Sequence, residues 1–498
     1  MGTLAVLFLG AIVWGFVADM RRGFQPSESK NVPAQSGSVS NTPPRRPAPK
    51  VSPPKIARAK KQISLDDIEI TPEFQQALDL MEKTNQCLFI TGKAGTGKST
   101  LLRYFRAKTD KNVVVVAPTG IAAINVEGQT IHSFFKLPPR FVQKEDIRRL
   151  TRNRKVIECL DTLIVDEVSM VRADLMDGID HALRLNRGKP EVPFGGVQVI
   201  LFGDLFQLSP IVSRDMAEIF DRKYKSPYFF SSKVVQGIEL TYLELTKIYR
   251  QNEVEFIGLL NKIRDKKYSG SDLSKLNERV VVVAEGSEED EIVLTTTNQR
   301  ASEINQGRLS PLGAKAFQYD ASVTGKFDES VYPNDASLIL KKGAQVMLIK
   351  NDPNKRWVNG TIGHIEGLSA HSVTVSIDGK SHDVPKSIWE KIEYVYNEET
   401  ERVESKAIGT FEQYPIKLAW AITIHKSQGK TFEKVVVELG DGAFAHGQVY
   451  VALSRCTRFE GLKLKRAITA RDIIFDDRIL GFRSHGKSLA VEAEPVNE

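Results

Sequence analysis

The sequence predicts a mixed α/β fold with a mostly parallel sheet and a smaller all-β insertion. From Ser64 onward, apolar runs of strand length alternate with helical patterns, and the runs are CLFI at 87–90, VVVVA at 113–117, TLIVD at 162–166 and VQVILFGD at 197–204. Such runs are typical of parallel strands that are covered by helices on both faces. Between Leu338 and Tyr414 the pattern changes to short alternating segments broken by Gly and Asn. This change predicts a small all-β unit inside the α/β chain.

The composition is that of a folded protein with several domains. The chain has 498 residues, of which 41% are hydrophobic and 26% are charged, and these values exclude a collagen-like, fully disordered or polytopic membrane protein. At about 100–200 residues per domain, we expect two to four domains. The cysteines Cys87, Cys159 and Cys456 are far apart. Their spacing disfavours a disulfide scaffold or a zinc module and fits a reducing compartment.

The positive charge is concentrated near the N-terminus. The formal net charge is +7, but residues 19–62 alone carry ten basic and two acidic side chains, a charge of +8. Residues 63–498 carry 59 basic and 60 acidic side chains, a charge of −1. The basic excess therefore belongs to the leader and not to the α/β core.

Residues 1–24 form a hydrophobic leader. The first 18 residues contain no charged side chain, and a helix of that length, at about 1.5 Å per residue, nearly crosses a ~30 Å hydrocarbon layer. Because Arg21 and Arg22 follow the apolar run, a membrane anchor would leave the rest of the chain in the cytoplasm. A cleaved secretory signal is disfavoured because no basic residue precedes the run. A mis-assigned start or a segment buried in a partner stays open.

Residues 25–63 predict a Pro-rich, basic, disordered linker. They include eight prolines and almost no large apolar side chain, so they cannot bury a core. Their charge could attract DNA phosphates or anionic lipid head groups. A solvated spacer is the alternative.

A phosphate-binding loop directly follows the first predicted strand. The run GKAGTGKS is flanked by a strand and by the helical TLLRYFRA, which is the setting that a P-loop requires. We expect Lys98 to reach the β- and γ-phosphates and the Ser99 hydroxyl to bind Mg²⁺. The predicted ligands of this loop are therefore a nucleoside triphosphate and Mg²⁺. The predicted nucleotide-binding residues of this loop are Gly92, Lys93, Ala94, Gly95, Thr96, Gly97, Lys98, Ser99 and Thr100.

Polar residues at the ends of later strands predict the rest of a hydrolytic site. Asp166 is the expected second Mg²⁺ ligand, and Glu167 the base that activates the attacking water. Gln207 follows the next strand, where a γ-phosphate sensor is expected. Arg250 and Arg455 would stabilise charge on the γ-phosphate.

Taken together, these motifs resemble the superfamily 1B DNA helicases of the PIF (petite integration frequency) type, related to the RecD-like and phage Dda helicases. A further segment at 174–200 is similar to the segment that distinguishes this family from other RecD-like enzymes. The resemblance extends from about Leu65 to Phe482. It is carried by GKAGTGKS (92–99), APTGIAAINVEGQTIHSFF (117–135), VDEVSM (165–170), FGDLFQLSP (202–210), LTKIYRQ (245–251), LAWAITIHKSQGKTF (418–432) and VYVALSRCTR (449–458).

The resemblance implies two RecA-like domains with ATP between them. The implied boundaries are 64–240 for the first domain, 241–337 with 413–482 for the second, 338–412 for a Src-homology-3-like β-barrel insertion, 133–155 for a wedge subdomain and 483–498 for a C-terminal tail.

For activity, the resemblance implies ATP-driven 5′-to-3′ translocation on single-stranded DNA with duplex unwinding. The implied context is replication, repair or recombination and the maintenance of telomere-like or structured DNA. The implied partners are single-stranded and forked DNA. We expect a monomer that is cytoplasmic or nucleoid-associated, with the leader as its membrane tether.

The resemblance also assigns DNA contacts and an adenine-reading glutamine. Hydroxyl, imidazole and lysine side chains suit phosphate contacts that carry no sequence information. For adenine, Gln75 is favoured over its neighbour Gln76. The implied DNA-binding residues are Thr119, His132, Thr423, His425 and Lys426.

Two other functions are alternatives to the helicase interpretation. A single-stranded-DNA-stimulated ATPase that strips proteins without processive unwinding would carry the same motifs. A nuclease or relaxase subunit is disfavoured because the eight histidines form no paired metal-ligand cluster.

Overall fold

The computed structural model describes residues 68–151, 154–251, 253–281, 291–485 and 487–488. The predicted leader, the predicted linker and most of the predicted tail lie outside these ranges. Within the described ranges, no helix combines the length and the apolar character needed to cross a membrane.

The first domain is built on a parallel sheet of seven strands. Its strands are β1 (Cys87–Gly92), β2 (Val113–Ala117), β3 (Gln129–Thr130), β4 (Thr162–Val165), β5 (Gln198–Phe202), β6 (Leu240–Leu245) and β21 (Lys487–Ser488). Their order across the sheet is β21-β6-β1-β5-β4-β2-β3. Each neighbouring pair is parallel.

Helices cover both faces of this sheet, as the continuous apolar runs predicted. Phe89, on β1, lies in one core cluster, whereas its neighbours Leu88 and Ile90 lie in another on the opposite face. The alternation follows from the two-residue period of a strand. The helices are α1 (Pro72–Lys83), α2 (Lys98–Lys108), α3 (Gly120–Asn125), α4 (Ile131–Phe135), α5 (Arg154–Glu158), α6 (Ala173–Arg187), α7 (Arg214–Lys223) and α8 (Lys233–Gln236).

The second domain has a smaller parallel sheet. Its strands are β7 (Ile292–Thr295), β18 (Ala421–Thr423), β19 (Val435–Glu438) and β20 (Leu462–Leu464), in the order β18-β7-β19-β20. Its helices are α9 (Val254–Arg264), α10 (Gly270–Asn277), α11 (Asn298–Leu309) and α12 (Gln448–Leu453). A last helix, α13 (Arg478–His485), returns to the first domain, where Phe482 stacks on Phe230 with ring centroids 4.5 Å apart.

Antiparallel strands form the insertion. A five-stranded sheet has the order β14-β13-β12-β11-β17, a three-stranded sheet has the order β15-β16-β9, and β8 pairs with β10. The bounds are β8 (Ala316–Asp320), β9 (Ser322–Gly325), β10 (Ser337–Lys341), β11 (Gln345–Leu348), β12 (Ile362–Leu368), β13 (Val373–Ile377), β14 (Lys380–Asp383), β15 (Ser387–Asn397), β16 (Arg402–Gln413) and β17 (Ile416–Leu418).

The hairpin of β15 and β16 packs against the first domain. Tyr394 Oη accepts a hydrogen bond from the Val115 N–H at 3.1 Å, and Gln129 Nε2 donates to the Ile392 carbonyl at 2.9 Å. These side chains are buried, so the hairpin is an integral part of the domain contact.

The structure differs from three predicted boundaries. The predicted boundary at 240/241 falls within β6, which belongs to the first sheet because it pairs with β1 along its whole length. The antiparallel region begins with β8 at Ala316, before the predicted start at 338. Residues 487–488 of the predicted tail pair with β6. Short alternating strands and long-range pairings leave no boundary signal in the local sequence, so the domain limits stay predictions.

The segment predicted as the wedge, 133–155, lies against helix α6. The Val142 N–H donates to Asp174 Oδ2 at 2.8 Å, and the Leu150 N–H donates to Asn186 Oδ1 at 2.7 Å. Both acceptors are buried on α6. The helix therefore fixes the path of this segment, and its wedge role stays a prediction.

Candidate active site

The P-loop connects the end of β1 to the start of α2. Gly95 and Gly97 have φ values of +85° and +86°, a left-handed region that favours glycine. A Cβ on Gly95 would lie 2.5 Å from the Cβ of Arg250. Glycine at position 95 therefore permits both the loop conformation and the close approach of the Arg250 segment.

Lys98 is folded back over the loop. Its Nζ donates to the carbonyls of Gly92 at 2.6 Å and Lys93 at 3.0 Å. Burial lowers the pKa of Lys98, and the carboxylates of Asp204 and Glu167 oppose that shift. The ammonium is thus held above the loop, where phosphate oxygens can replace the carbonyls as acceptors.

Asp166 and Glu167 follow β4 as adjacent, half-buried carboxylates. Burial raises the pKa of both groups, and the Glu167 charge raises that of Asp166 further. Lys98 and Arg455 partly offset the rise at Glu167. Glu167 also has a φ of +50°, an uncommon value outside glycine. The two carboxylates lie where a cation would relieve their repulsion.

These residues fit the binding of Mg²⁺ together with a nucleotide. In the described ranges, no three His, Cys, Asp or Glu side chains form a metal-holding group, so the protein offers no complete cage. Mg²⁺ in nucleotide sites typically uses one or two protein oxygens and completes its shell with phosphates and water. Ser99, at the exposed start of α2, and Asp166 supply oxygens of this kind.

Gln207 is hydrogen-bonded to Asp204 in the loop after β5. Gln207 Nε2 donates to Asp204 Oδ2 at 3.2 Å, and the Phe206 N–H donates to Asp204 Oδ1 at 3.1 Å. Burial would raise the pKa of Asp204, but the charges of Arg264 and Lys98 hold it below its usual value. The predicted γ-phosphate sensor is therefore oriented by an ionised, buried carboxylate.

The second domain contacts the P-loop directly. The Tyr249 N–H donates to the Gly95 carbonyl at 2.9 Å, and Tyr450 Oη accepts from the Ala94 N–H at 3.3 Å. Arg250 reaches across to the Ser454 carbonyl at 3.4 Å. The predicted P-loop and the predicted Arg250 therefore meet in one cleft.

Arg455 is 1% exposed and is held by neutral oxygens. Its guanidinium donates to Ser454 Oγ at 2.8 Å and to the carbonyls of Val451, Lys430 and Ser427 at 2.9, 3.3 and 3.5 Å. Burial, followed by the charge of Arg250, lowers its pKa. The Arg455 charge lowers the pKa of Glu167, and the Glu167 charge raises the pKa of Arg455.

The two glutamines before the P-loop differ in environment. Gln75 is exposed, and its Nε2 donates to Asp79 Oδ1 at 3.0 Å on the same helix. Gln76 has a buried Oε1 with no hydrogen-bond partner among the described residues. Helix α1 is hydrogen-bonded to the segment that leads to Tyr249, since Glu73 Oε2 accepts from the Thr246 N–H at 2.9 Å. Tyr249, which is 48% exposed, lies 3.9 Å from a Cβ built on Gly97.

The predicted DNA-binding residues lie on both domains and outside this cluster of contacts. Thr119 caps α3 by accepting from the Ala122 N–H at 3.2 Å, and His132 Nδ1 lies 3.2 Å from the Leu137 carbonyl. Thr423 is buried at the end of β18, His425 is half-buried and Lys426 is exposed. Burial lowers the pKa of both histidines. The neutral imidazoles therefore suit hydrogen bonding better than ion pairing at neutral pH.

Sequence reasoning missed Tyr450 and Arg264, which both reach the first domain. Tyr450 lies inside the block VYVALSRCTR, so the motif itself carried a signal for it. Arg264 lies in α9, outside every block that was compared, and its role depends on contacts that only the fold creates.

Comparison with known proteins places the chain in a family. Residues 69–273 match the family model of PIF1-like helicases. The ATP-dependent DNA helicase Pif1 of Bdellovibrio bacteriovorus is 31% identical over 84% of this chain and 92% of its own length. Human ATP-dependent DNA helicase PIF1 is 31% identical over 83% of this chain and 64% of its own length.

A solved structure of a Pif1 helicase also resembles this chain. Pif1 of Bacteroides sp. in complex with ADP-AlF4 is 37% identical, covers 84% of this chain and 97% of its own, and superimposes with a TM-score of 0.79. The mixed α/β fold with parallel RecA-like sheets is therefore confirmed. This chain belongs to the PIF1-like helicase family.

Proposed function

We propose that this protein is an ATP-dependent DNA helicase that hydrolyses ATP between its two α/β domains. The observation that carries the proposal is the contact of one P-loop with Tyr450, on α12 of the second domain, and with Arg250, in the segment that joins β6 of the first sheet to α9 of the second domain. Ala94 bonds to Tyr450, and Gly95 packs against Arg250. A nucleotide bound at this loop would touch both domains, so its hydrolysis would change how they meet.

Each predicted catalytic residue has a role in this cleft. Lys98 binds the β- and γ-phosphates, and Ser99 and Asp166 hold Mg²⁺, which supplies charge neutralisation at the phosphates. Glu167 orients and deprotonates the attacking water, and Gln207 senses the γ-phosphate. Arg250 and Arg455 stabilise the charge that develops on the transferred group. Such arginines contribute about 10³–10⁵ in rate.

Domain closure and opening would drive movement along single-stranded DNA in the 5′-to-3′ direction. Thr119 and His132 on the first domain, with Thr423, His425 and Lys426 on the second, would alternate in holding the phosphate backbone. Opening a base-pair step costs about 1.4 kcal/mol on average, so one ATP per small step is energetically sufficient. Replication, repair, recombination and structured-DNA maintenance are the processes that need this activity.

Relatives with known ligands support the DNA partner. Pif1 of Bacteroides has been crystallised bound to single-stranded DNA, and two coordinating copies of Pif1 helicase have been described at forked double-stranded DNA. For this chain, we propose that a monomer translocates on single strands. Mass measurement of the DNA complex on single-stranded and forked substrates tests that state, and a dimer on both substrates would contradict it.

Unwinding of tailed duplexes tests the activity. We expect ATP- and Mg²⁺-dependent strand separation when the tail has a free 5′ end, and little when it has a free 3′ end. A preference for 3′ tails would overturn the polarity. ATP hydrolysis stimulated by single-stranded DNA without any strand separation would instead support a translocase that strips proteins.

Lys98→Ala should abolish unwinding while DNA binding is retained, because the substitution removes the only predicted lysine at the β/γ-phosphates. Lys108→Ala, at the exposed end of the same helix, is the matched control and should behave like the unsubstituted protein. Retained unwinding by Lys98→Ala would contradict the proposed site.

We also propose that the leader tethers the protein to a membrane with the catalytic part in the cytoplasm. The support is the uncharged run of 18 residues followed by Arg21 and Arg22. Fractionation of the full chain against a chain that starts at Ser64 tests this. Equal distribution between soluble and membrane fractions would remove the tether.

A further inference from the structure

A buried arginine on helix α9 connects the second domain to the loop after β5. Arg264 is 2% exposed, and its guanidinium lies 3.2 Å from Asp204 Oδ1 and 3.7 Å from Glu244 Oε1, both on the first domain. We propose that Arg264 is a positioning residue that couples the γ-phosphate sensor Gln207 to the movement of the second domain. The inference rests on the ATP-driven activity proposed above.

Asp204 is the link between Arg264 and the sensor. One of its carboxylate oxygens faces Arg264, and the other accepts the Gln207 side-chain amide. Asp204 has a fully buried side chain, so water does not screen this chain of contacts. A rotation of Gln207 toward a phosphate would therefore disturb the same carboxylate that holds α9.

The second domain holds this loop at three further points. The guanidinium carbon of Arg264 lies 4.0 Å from the ring centroid of Phe206, a cation–π contact. His446 Nδ1 accepts from the Asp476 N–H at 3.0 Å, so its Nε2 carries the proton and donates to the Leu205 carbonyl at 2.9 Å. Gly447 is also close, because a Cβ there would lie 2.3 Å from the Gln207 carbonyl. The loop at 204–207 cannot move without the second domain.

The charges show that this contact differs from ordinary packing. Asp204, Glu244 and Asp265 raise the pKa of Arg264 against the effect of burial, so the guanidinium stays charged in an apolar setting. A buried ion pair is weak support for stability. It is, however, a directional contact, since Asp204 can keep Arg264 and Gln207 together only in one arrangement.

The test measures coupling between nucleotide and DNA in the full chain. The affinity for a fluorescent single-stranded DNA is measured without nucleotide, with ADP, and with ADP plus aluminium fluoride, together with kcat and KM for ATP. The variants are Arg264→Met, which keeps the apolar stem, and Arg264→Lys, which keeps the charge without the planar fork. Lys262→Met is the control, because Lys262 lies on the same helix in an exposed pair with Asp272.

We expect the nucleotide-dependent change in DNA affinity, typically about 5–150-fold for allosteric coupling, to fall below about twofold in Arg264→Met. DNA affinity without nucleotide and KM for ATP should stay near those of the unsubstituted protein, while DNA-stimulated kcat falls. Arg264→Lys should recover part of the coupling. The double variant Arg264→Met with Asp204→Asn should lose no more of the nucleotide effect than either single variant, since both substitutions remove the same contact.

Two results would overturn the inference. One is an unchanged nucleotide effect in Arg264→Met. The other is an equal loss of nucleotide binding and DNA binding, which indicates a structural role. If Arg264→Met does not fold, Arg264→Lys alone decides, since its nucleotide effect on DNA affinity must then be smaller than that of the unsubstituted protein without loss of ATP binding. Absence of any nucleotide effect in the unsubstituted protein would contradict the proposed function itself and is thereby distinguishable.

Discussion

The two sides of the nucleotide cleft satisfy their charges in different ways. On the first-domain side, the Lys98 ammonium donates to the Gly92 and Lys93 carbonyls of its own loop, and the carboxylates of Asp166 and Glu167 are adjacent in the chain. On the second-domain side, Arg455 is buried among neutral oxygens. The first side is therefore prepared to bind phosphate by exchanging partners, and the second side holds a cation whose hydrogen bonds go to neutral oxygens.

Within the second domain, Arg264 and Arg455 also differ in the charge of the groups that they contact. Arg264 faces carboxylates of the first domain, whereas the oxygens that accept from Arg455 are carbonyls and a hydroxyl. A phosphate would improve the electrostatic environment of Arg455 far more than that of Arg264. This difference suggests that Arg455 acts on the nucleotide and Arg264 on the relative position of the domains.

The largest expected effect comes from removing Arg455, whose hydrogen bonds within the described residues go to neutral oxygens. Arg455→Ala should lower DNA-stimulated kcat by about 10³–10⁵, because charge on the transferred phosphoryl group would no longer be stabilised. ATP affinity, measured by equilibrium binding, should change much less, since the P-loop is intact. Arg458→Ala, an exposed neighbour, should leave kcat unchanged.

Parallel loss of ATP binding and kcat in Arg455→Ala would break the comparison. Arg455 would then be a residue that binds ATP, as the P-loop residues of the first domain are.

The next effect tests the first-domain side. Glu167→Gln should lower kcat by about 10²–10⁴ with ATP and DNA binding retained, because the amide keeps the shape of the carboxylate and cannot accept a proton. The matched substitution Glu158→Gln, at the end of α5, should be silent.

The pH profile sharpens this prediction. Burial raises the pKa of Glu167, and the base must be ionised to act. The rate should therefore rise with pH through that raised pKa, and the acid limb of kcat should lie at higher pH than for a free glutamate. In Glu167→Gln this limb should disappear. An identical limb in both proteins would assign it to another group.

The contrast between the two sides also explains what the sequence could predict. The P-loop that leads to Lys98 and the pair Asp166 and Glu167 directly follow buried strands, and carboxyl ends of parallel strands meet at one edge of a sheet. The local sequence pattern is therefore sufficient to predict the first-domain side of the cleft. Arg264 and Tyr450 have no such local pattern, since their partners Asp204 and Ala94 are 60 and 356 residues away in the chain.

In the insertion, too, contacts between residues far apart in the sequence could not be predicted. Alternating segments predicted antiparallel strands, but the docking of Tyr394 against Val115 joins residues 279 apart. The boundary predicted at 240/241 falls within β6, which is next to β1 in space and far from it in sequence. Periodicity predicts that a strand exists, whereas sheet order depends on which long-range pairings bury the most surface.

A smaller effect should distinguish the two glutamines before the P-loop. We propose that Gln76 reads the adenine base, because its buried Oε1 has no partner among the described residues, whereas the amide of Gln75 is bound to Asp79. Gln76→Ala should raise KM for ATP by about tenfold, which equals about 1.4 kcal/mol. Gln75→Ala should change it little. Steady-state hydrolysis of ATP and GTP measures both, and the reverse ranking would restore Gln75 as the reader.

The smallest expected effect concerns a hydrogen bond that joins the P-loop to α12. Tyr450→Phe removes the acceptor of the Ala94 N–H and keeps the ring. A neutral hydrogen bond contributes about 0.5–1.5 kcal/mol, and at 3.3 Å this bond belongs at the low end, so we expect KM for ATP to change by about twofold to threefold. Exposed Tyr249→Phe, whose backbone makes the bond to Gly95, is the control. A loss in kcat as large as that of Arg455→Ala would mean that Tyr450 orients the arginine, and the second-domain side would then act as one unit.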